Sequence, residues 1–206
     1  MNTNVESTPL ILTITIASVS LRKKLLTSLL LELERQISEN NLQDEVEILI
    51  DDDDDKFLGT KRKEMVAKAK GLFTCAIDDD DWISDDYITQ IVNAIKNNPD
   101  VDCLSIQGII SFNGLNEKKW KISCAYEDWS EDEDYYYRTP NHICPIKTQF
   151  VKIANFDDVS WGEDYSFSKR IKSYLSNEIA IDKPIYYYKY DTENSLYNFQ
   201  DKKQIT

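Results

Sequence analysis

Four consecutive carboxylates, Asp78–Asp81, end an apolar run and are followed at once by Trp82. Carboxylates packed that closely repel one another unless a cation sits among them. Oxygen-only donors suit Mg²⁺ or Mn²⁺, which keep several waters and share their remaining positions with substrate phosphates. A solvated turn supplying acids to a helix start is the plainer reading, and Asp85 and Asp86 fit it. A calcium loop is excluded, because neither this run nor Asp51–Asp55 has glycine at its sixth position and glutamate at its twelfth. A second feature is Gly59-Thr60-Lys61-Arg62-Lys63, where three cations enter the first turn of an expected helix against its macrodipole. A phosphate docked at that helix start, or pairing with Asp51–Asp55, would each offset the cost. With five glycines in the chain, neither a P-loop nor a G-x-G-x-x-G can be written, so a bound diphosphate needs metal and side chains for neutralisation.

Two further candidates lie in the second half. Trp161-Gly162-Glu163-Asp164 opens an expected helix, and Asp164 there is a candidate general base for an acceptor hydroxyl. On charge alone Glu163 is equally eligible. His142, the single histidine, sits between Pro140 and Pro145 in a segment able to return to the metal. Cys144 reads as buried, since no nucleophilic triad can be assembled around it.

The elements that would position these groups follow from periodicity. Strands are expected at Leu10–Ala17, Glu45–Ile50, Leu72–Ile77 and Val101–Gln107. Between them fall three helices. The first starts at Ser20 with Leu21, Leu25, Leu29 and Leu33 as its stripe; the second spans Thr60–Lys70 and stops at Gly71; the third follows Ser84 with Ile88, Ile91, Val92 and Ile95 inward. This β-α-β-α-β-α-β order implies an α/β fold with a mostly parallel sheet covered on both faces. Ligands of such sheets bind beyond the carboxyl ends of the strands, where both aspartate runs fall. The second half is less regular: a strand pair within Ile109–Tyr126, an acidic loop, Tyr135–Tyr137, an extended Asn141–Pro145, a short helix over Lys147–Asn155, the Trp161 helix with Phe167, Ile171 and Tyr174, and a late strand Ile185–Tyr190 before a polar tail.

The order strand, helix, strand-Asp, G-x-K-R helix, A-x-G, strand, D-x-D-D-W resembles family-2-like glycosyltransferases of the GT-A fold. It is carried by Ile14–Ser18, Ile48–Asp51, Gly59–Arg62, Ala69–Gly71 and Ile77–Trp82. Trp161–Asp164 is similar to that fold's acceptor-side element and to the Trp-Gly-x-Glu-Asp stretch of galactosyltransferases; together the matches span roughly residues 10–175. The resemblance implies a nucleotide-sugar donor, a UDP-sugar by preference, with Mn²⁺ or Mg²⁺. It implies Asp78 and Asp80 as the D-x-D pair, Asp80 the direct metal ligand and Asp78 nearer the ribose, although the four-aspartate run leaves the register open by one residue and keeps Asp79 in the donor site. Asp51 and Ser18 would meet base or ribose, Arg62 the phosphates, and Asp164 would act as base in an inverting displacement; Lys61 joins the donor site from the basic helix start, and His142 the metal from the placement of its own segment. Arg62-Lys63 stands where the family has Arg-Asn, and Asp51–Asp55 where it has Asp-Asp-Gly-Ser.

Composition bounds the rest. Two hundred and six residues, 41% of them apolar, suit one domain, with a donor-binding half over about residues 1–107 and an acceptor-side half over about 108–206. Cys75, Cys103, Cys124 and Cys144 show neither C-x-x-C nor zinc-ribbon spacing, so free thiols and a cytoplasmic setting are expected. Nothing near the N-terminus reads as a leader, and Leu10–Ile16 is too short to span a bilayer. A net charge of −13 disfavours duplex nucleic acid as partner. The acceptor stays open among glycan, lipid, protein and modified nucleobase. Two rival readings remain: a nucleotidyltransferase using the same aspartates, which leaves Trp161–Asp164 without a role, and a non-catalytic module binding sugar or divalent cation.

Overall fold

The computed structural model describes residues 9–190; the stretch read for a leader and the polar tail lie outside these residues. The first three strands, β1 (Leu12–Ala17), β2 (Val46–Asp51) and β3 (Phe73–Ala76), pair in parallel with β1 in the middle. Being central, β1 is buried on both faces, Thr13 and Thr15 included, so its apparent alternation marks no solvent face.

The helices cover this sheet. α1 (Lys23–Glu39) begins after a single 3-10 turn at Ser20–Arg22 and buries Leu26, Leu29, Leu33 and Gln36. That shifts the expected stripe: Leu21 is 69% exposed, and Arg22, not Leu21, turns inward. Ser20 is the first residue of that turn, with Val19 at the N-cap, and its backbone N donates to Asp54 Oδ1 at 2.8 Å. α2 (Leu58–Lys68) starts two residues earlier than expected and ends before Gly71, because Ala69 already has extended backbone. It buries Lys61 and Arg62 one turn ahead of Met65 and Val66, so both cations lie on the core face of the helix. α3 (Tyr87–Asn97) buries the expected Ile88, Ile91, Val92 and Ile95 together with Tyr87.

Past α3 the sheet becomes mixed. β5 (Cys103–Phe112) forms an antiparallel hairpin with β6 (Leu115–Ile122), turning at Asn113-Gly114, where both residues have positive φ. The short β9 (Ile146–Lys147) inserts antiparallel between β3 and β5. β8 (Tyr135–Arg138) extends the sheet beyond β6, and β7 (Ser130–Glu131) pairs with β8. The long final strand β10 (Glu178–Tyr190) runs parallel to β5, with its register shifting around Pro184, and also pairs with β4 (Trp82–Ile83). The order β2-β1-β3-β9-β5-β6-β8-β7, with β10 on β5, gives ten strands whose long ladders, apart from the β5–β6 hairpin, are parallel. Among the described residues the second half adds two α-helices, α4 (Thr148–Ala154) and α5 (Glu163–Ile171). Phe167 and Ile171 enter the core as expected, whereas Tyr174 lies in a 3-10 turn and is 41% exposed. Among the described residues no helix is long and apolar enough to cross a membrane.

Candidate active site

The carboxyl ends of β1, β2 and β3 meet at one edge. Ser18 N donates to Asp51 O at 2.9 Å, and Ile77 N to Thr15 O at 3.0 Å, so the residue after each strand arrives at the same rim. The aspartate run leaves β3 there as a tight turn, with Asp81 N donating to Asp78 O at 3.1 Å.

The four carboxylates alternate in direction. Asp79 and Asp81 are each 3% exposed and fully engaged inward. Asp79 accepts Ser18 Oγ at 2.5 Å and Arg22 Nη1 at 2.8 Å. Asp81 accepts Tyr186 Oη at 2.7 Å and Lys189 N at 3.0 Å. Asp78 and Asp80 keep open side chains, 27% and 22% exposed. Arg62 Nη2 holds Asp78 Oδ1 at 2.8 Å, while His142 Nε2 stands 3.3 Å from Oδ2. Arg22 Nη2 reaches Asp80 Oδ2 at 2.7 Å.

Their electrostatics separate accordingly. Burial pushes the Asp78 carboxyl up, but Arg62 and His142 outweigh it and leave the group well below the usual carboxylate range. Asp80 is pushed up to about 7, first by burial and then by Asp78 and Asp79, with Arg22 opposing. Asp81 is driven up by burial and by the charges of Asp78 and Asp80. A site that crowds carboxylates until one of them resists ionisation is a site a divalent cation would relax.

The remaining expected residues are placed as follows. Lys61, 3% exposed, donates from Nζ to Ser18 O at 2.5 Å, and Asp51 pairs with Lys56 Nζ at 2.8 Å. Burial raises the Asp51 carboxyl, and the Lys56 contact brings it below its ordinary value. Arg62 does not pair with Asp51–Asp55. Its Nη2 is spent on Asp78 and its Nε lies 3.7 Å from Glu163 Oε1. The opening of α2 is not free for an anion either: Leu58 N donates to Ser160 Oγ at 3.3 Å and Gly59 N to Val159 O at 2.9 Å. Gly59 is required there, since a Cβ would stand 1.9 Å from Asp157 O. Lys61 and Arg62 are thus both buried, Lys61 against Ser18 O and Arg62 against Asp78.

At the start of α5, Gly162 adopts φ 72° at the N-cap, and two acids follow it in the first turn. Glu163 is 4% exposed and turned toward Arg62. Asp164 is half-buried, accepts Tyr165 N at 2.8 Å and acts electrostatically on Arg138. The equivalence of the two carboxylates in the sequence is therefore lifted. Three contributors were not read from the sequence: Arg22, Glu163 as partner of Arg62, and Tyr186. Arg22 had a usable signal, standing four residues before Leu26 and so in line with the buried stripe of α1.

The model of the family described as glycosyl transferase family 2 matches residues 35–159. No curated protein matches the chain significantly. Among solved structures, Staphylococcus aureus TarS 1-349 in complex with UDP-GlcNAc aligns with a TM-score of 0.60 at 15% identity, covering 87% of this chain and 58% of that one. The same protein in complex with UDP gives 0.62 at 16%, covering 93% and 62%. The chain thus spans under two thirds of the TarS fragment, and at such identity the likeness speaks for the GT-A fold. With a family model matched over more than half its length and that fold around an aspartate-lined strand edge, this chain belongs to glycosyl transferase family 2.

Proposed function

We propose that the chain transfers a sugar from a nucleotide sugar, a UDP-sugar by preference, to an acceptor hydroxyl with inversion, using a divalent cation held by Asp78 and Asp80. The observation that carries this reading is the alternation of the aspartate turn: Asp79 and Asp81 are buried and bonded inward, whereas Asp78 and Asp80, each held by an arginine, keep 27% and 22% of their side chains exposed at the sheet edge. Their oxygens suit Mn²⁺ or Mg²⁺, with His142 beside Asp78 as the further ligand. Such an ion supplies Lewis-acid neutralisation of the departing diphosphate. The residues of the chain do the rest. Arg62 and Arg22 orient the two open carboxylates. Ser18 and Asp51, joined through the strand ends, form the rim offered to ribose and base.

Of the Glu163–Asp164 pair, Asp164 is the more accessible, which supports it as base. In the proposed step the acceptor oxygen forms its bond to the anomeric carbon as the bond from that carbon to the diphosphate oxygen breaks. The hydroxyl proton passes to the Asp164 carboxylate, and nucleoside diphosphate leaves. UDP bound to TarS, a protein of the same fold, is consistent with this donor class. The unbridged cysteines suit a reducing compartment such as the cytoplasm.

The test is release of nucleoside diphosphate from a panel of UDP- and other nucleotide sugars, with and without Mn²⁺, in wild type and Asp80→Asn. Metal-stimulated release of diphosphate, lost in Asp80→Asn, is expected. Release of sugar 1-phosphate instead would identify nucleotidyl transfer, and donor binding without any release would identify a binding module.

A further inference from the structure

The four cysteines share no metal-binding spacing, yet the fold gathers three of them where β5 begins and β6 ends. Cys103 opens β5 and Cys124 follows β6, 21 residues later in the chain, with their Sγ atoms 3.4 Å apart. Cys144 lies against Cys103 and donates its Sγ hydrogen to Leu104 O at 2.9 Å. Glu178, the first residue of β10, completes the group. One carboxylate oxygen of Glu178 and the sulfurs of Cys103 and Cys124 all lie within 4.8 Å of one another.

Core packing accounts for a buried cysteine such as Cys75, which rests against Tyr87. It does not account for a carboxylate drawn up to two thiols. Glu178 is held in place: Oε1 accepts Ser123 Oγ at 2.5 Å and Oε2 accepts Cys124 N at 2.8 Å. A carboxylate has about four lone-pair sites, so these two bonds leave capacity for a ligand while fixing its orientation. The Cys124 thiol is held above its ordinary range by its hydrogen bond to Cys103, by burial and by the Glu178 charge, so the group stays protonated until a cation arrives.

We propose that Cys103 Sγ, Cys124 Sγ and the Glu178 carboxylate form a zinc site that ties β5, β6 and β10 together where β5 begins and β6 ends. Two thiolates and one carboxylate suit Zn²⁺, whereas the oxygen-only Asp78–Asp80 site suits Mg²⁺ or Mn²⁺. Tetrahedral Zn–S bonds of ~2.3 Å place two sulfurs ~3.7 Å apart, so the 3.4 Å pair has only to open slightly. Cys144 remains committed to Leu104 O, and the fourth position falls to water beside the half-buried Cys124. Binding releases the two thiol protons to solvent, with no change of oxidation state.

The experiment uses the reduced full chain stripped with chelator and titrated with Co²⁺ as a spectroscopic stand-in, then with Zn²⁺. A thiolate-to-cobalt charge-transfer band is expected, saturating at one equivalent and displaced by Zn²⁺. Cys124→Ser should abolish the band, while Cys75→Ser and Asp80→Asn should keep it. Zinc should raise the melting temperature of wild type and leave that of Cys124→Ser unmoved. Absence of the band in wild type, or its persistence in Cys124→Ser, overturns the site. So does recovery of Cys103 and Cys124 as a disulfide that takes up no metal once reduced; that result would make them a redox pair instead.

Discussion

Tyr186 Oη donates to Asp81 Oδ2 at 2.7 Å while accepting the Asp78 backbone N–H at 3.1 Å, so one fully buried phenol on the last strand spans the aspartate turn from end to end. The turn follows β3 in the chain, but its shape is imposed by β10, more than a hundred residues later. Tyr186→Phe keeps the ring and removes both bonds, leaving a buried carboxylate without its hydroxyl donor. A loss of about 1–3 kcal/mol is expected, together with weaker metal-dependent donor binding, because Asp78 and Asp80 hang on this turn. Chemical denaturation and calorimetry read the two effects. Tyr174→Phe, at an exposed ring, is the control and should stay within about 0.5 kcal/mol of wild type. Equal behaviour of the two variants would show that the bridge does not hold the turn.

Arg62 is buried, with its fork divided between Asp78 and Glu163. Arg62→Lys keeps the charge and loses the fork. Binding of UDP in Mn²⁺ should weaken by about tenfold or more, whereas uridine binding without metal should hardly change. Calorimetry that shows both ligands weakened alike would place Arg62 in general support of the fold.

Asp164→Asn tests the base. A positioned acid–base group is worth ~10²–10⁴-fold, so turnover should fall by that order with donor affinity nearly intact. Glu163→Gln should behave differently. It removes a buried charge facing Arg62, so its cost should appear in stability and donor binding ahead of turnover. A tenth or more of wild-type turnover in Asp164→Asn would rule it out as base.

Asp102 gives a pH dependence away from the site. Burial raises its carboxyl, but Ser176 N and Oγ at 3.0 Å, Lys147 Nζ at 3.2 Å and Asn177 N at 3.1 Å bring it below the ordinary value. A group depressed in the folded state contributes stability that is full above its unfolded pKa, about 3.9. That contribution is lost as pH falls through the lower folded value. Asp102→Asn should therefore cost stability at pH 6 and approach wild type below pH 3. Melting curves between those limits check the convergence; a constant gap would rule out titration as its cause.

The local sequence determined which elements form and which end of them carries chemistry. Apolar periodicity marked β1, β2, β3 and the inward stripe of α3, and strands that run directly into aspartates put the acidic runs at the carboxyl edge of the sheet. Those features depend on a few neighbouring residues, so they are legible in a single chain. The choice between equivalent neighbours was not. Asp78 differs from Asp79, and Glu163 from Asp164, only because Ser18, Arg22, Arg62 and Tyr186 arrive from distant segments and bury some carboxylates more deeply than others. The same holds for Lys61 and Arg62, which local charge aimed at a phosphate and the packing of α2 turned inward. Cys103 and Cys124 show it most simply. Their spacing carries no motif, and only the β5–β6 hairpin, closing 21 residues of chain, sets one sulfur beside the other. Burial and partner choice are decided by tertiary contacts, because desolvation and pairing act through space and not along the chain.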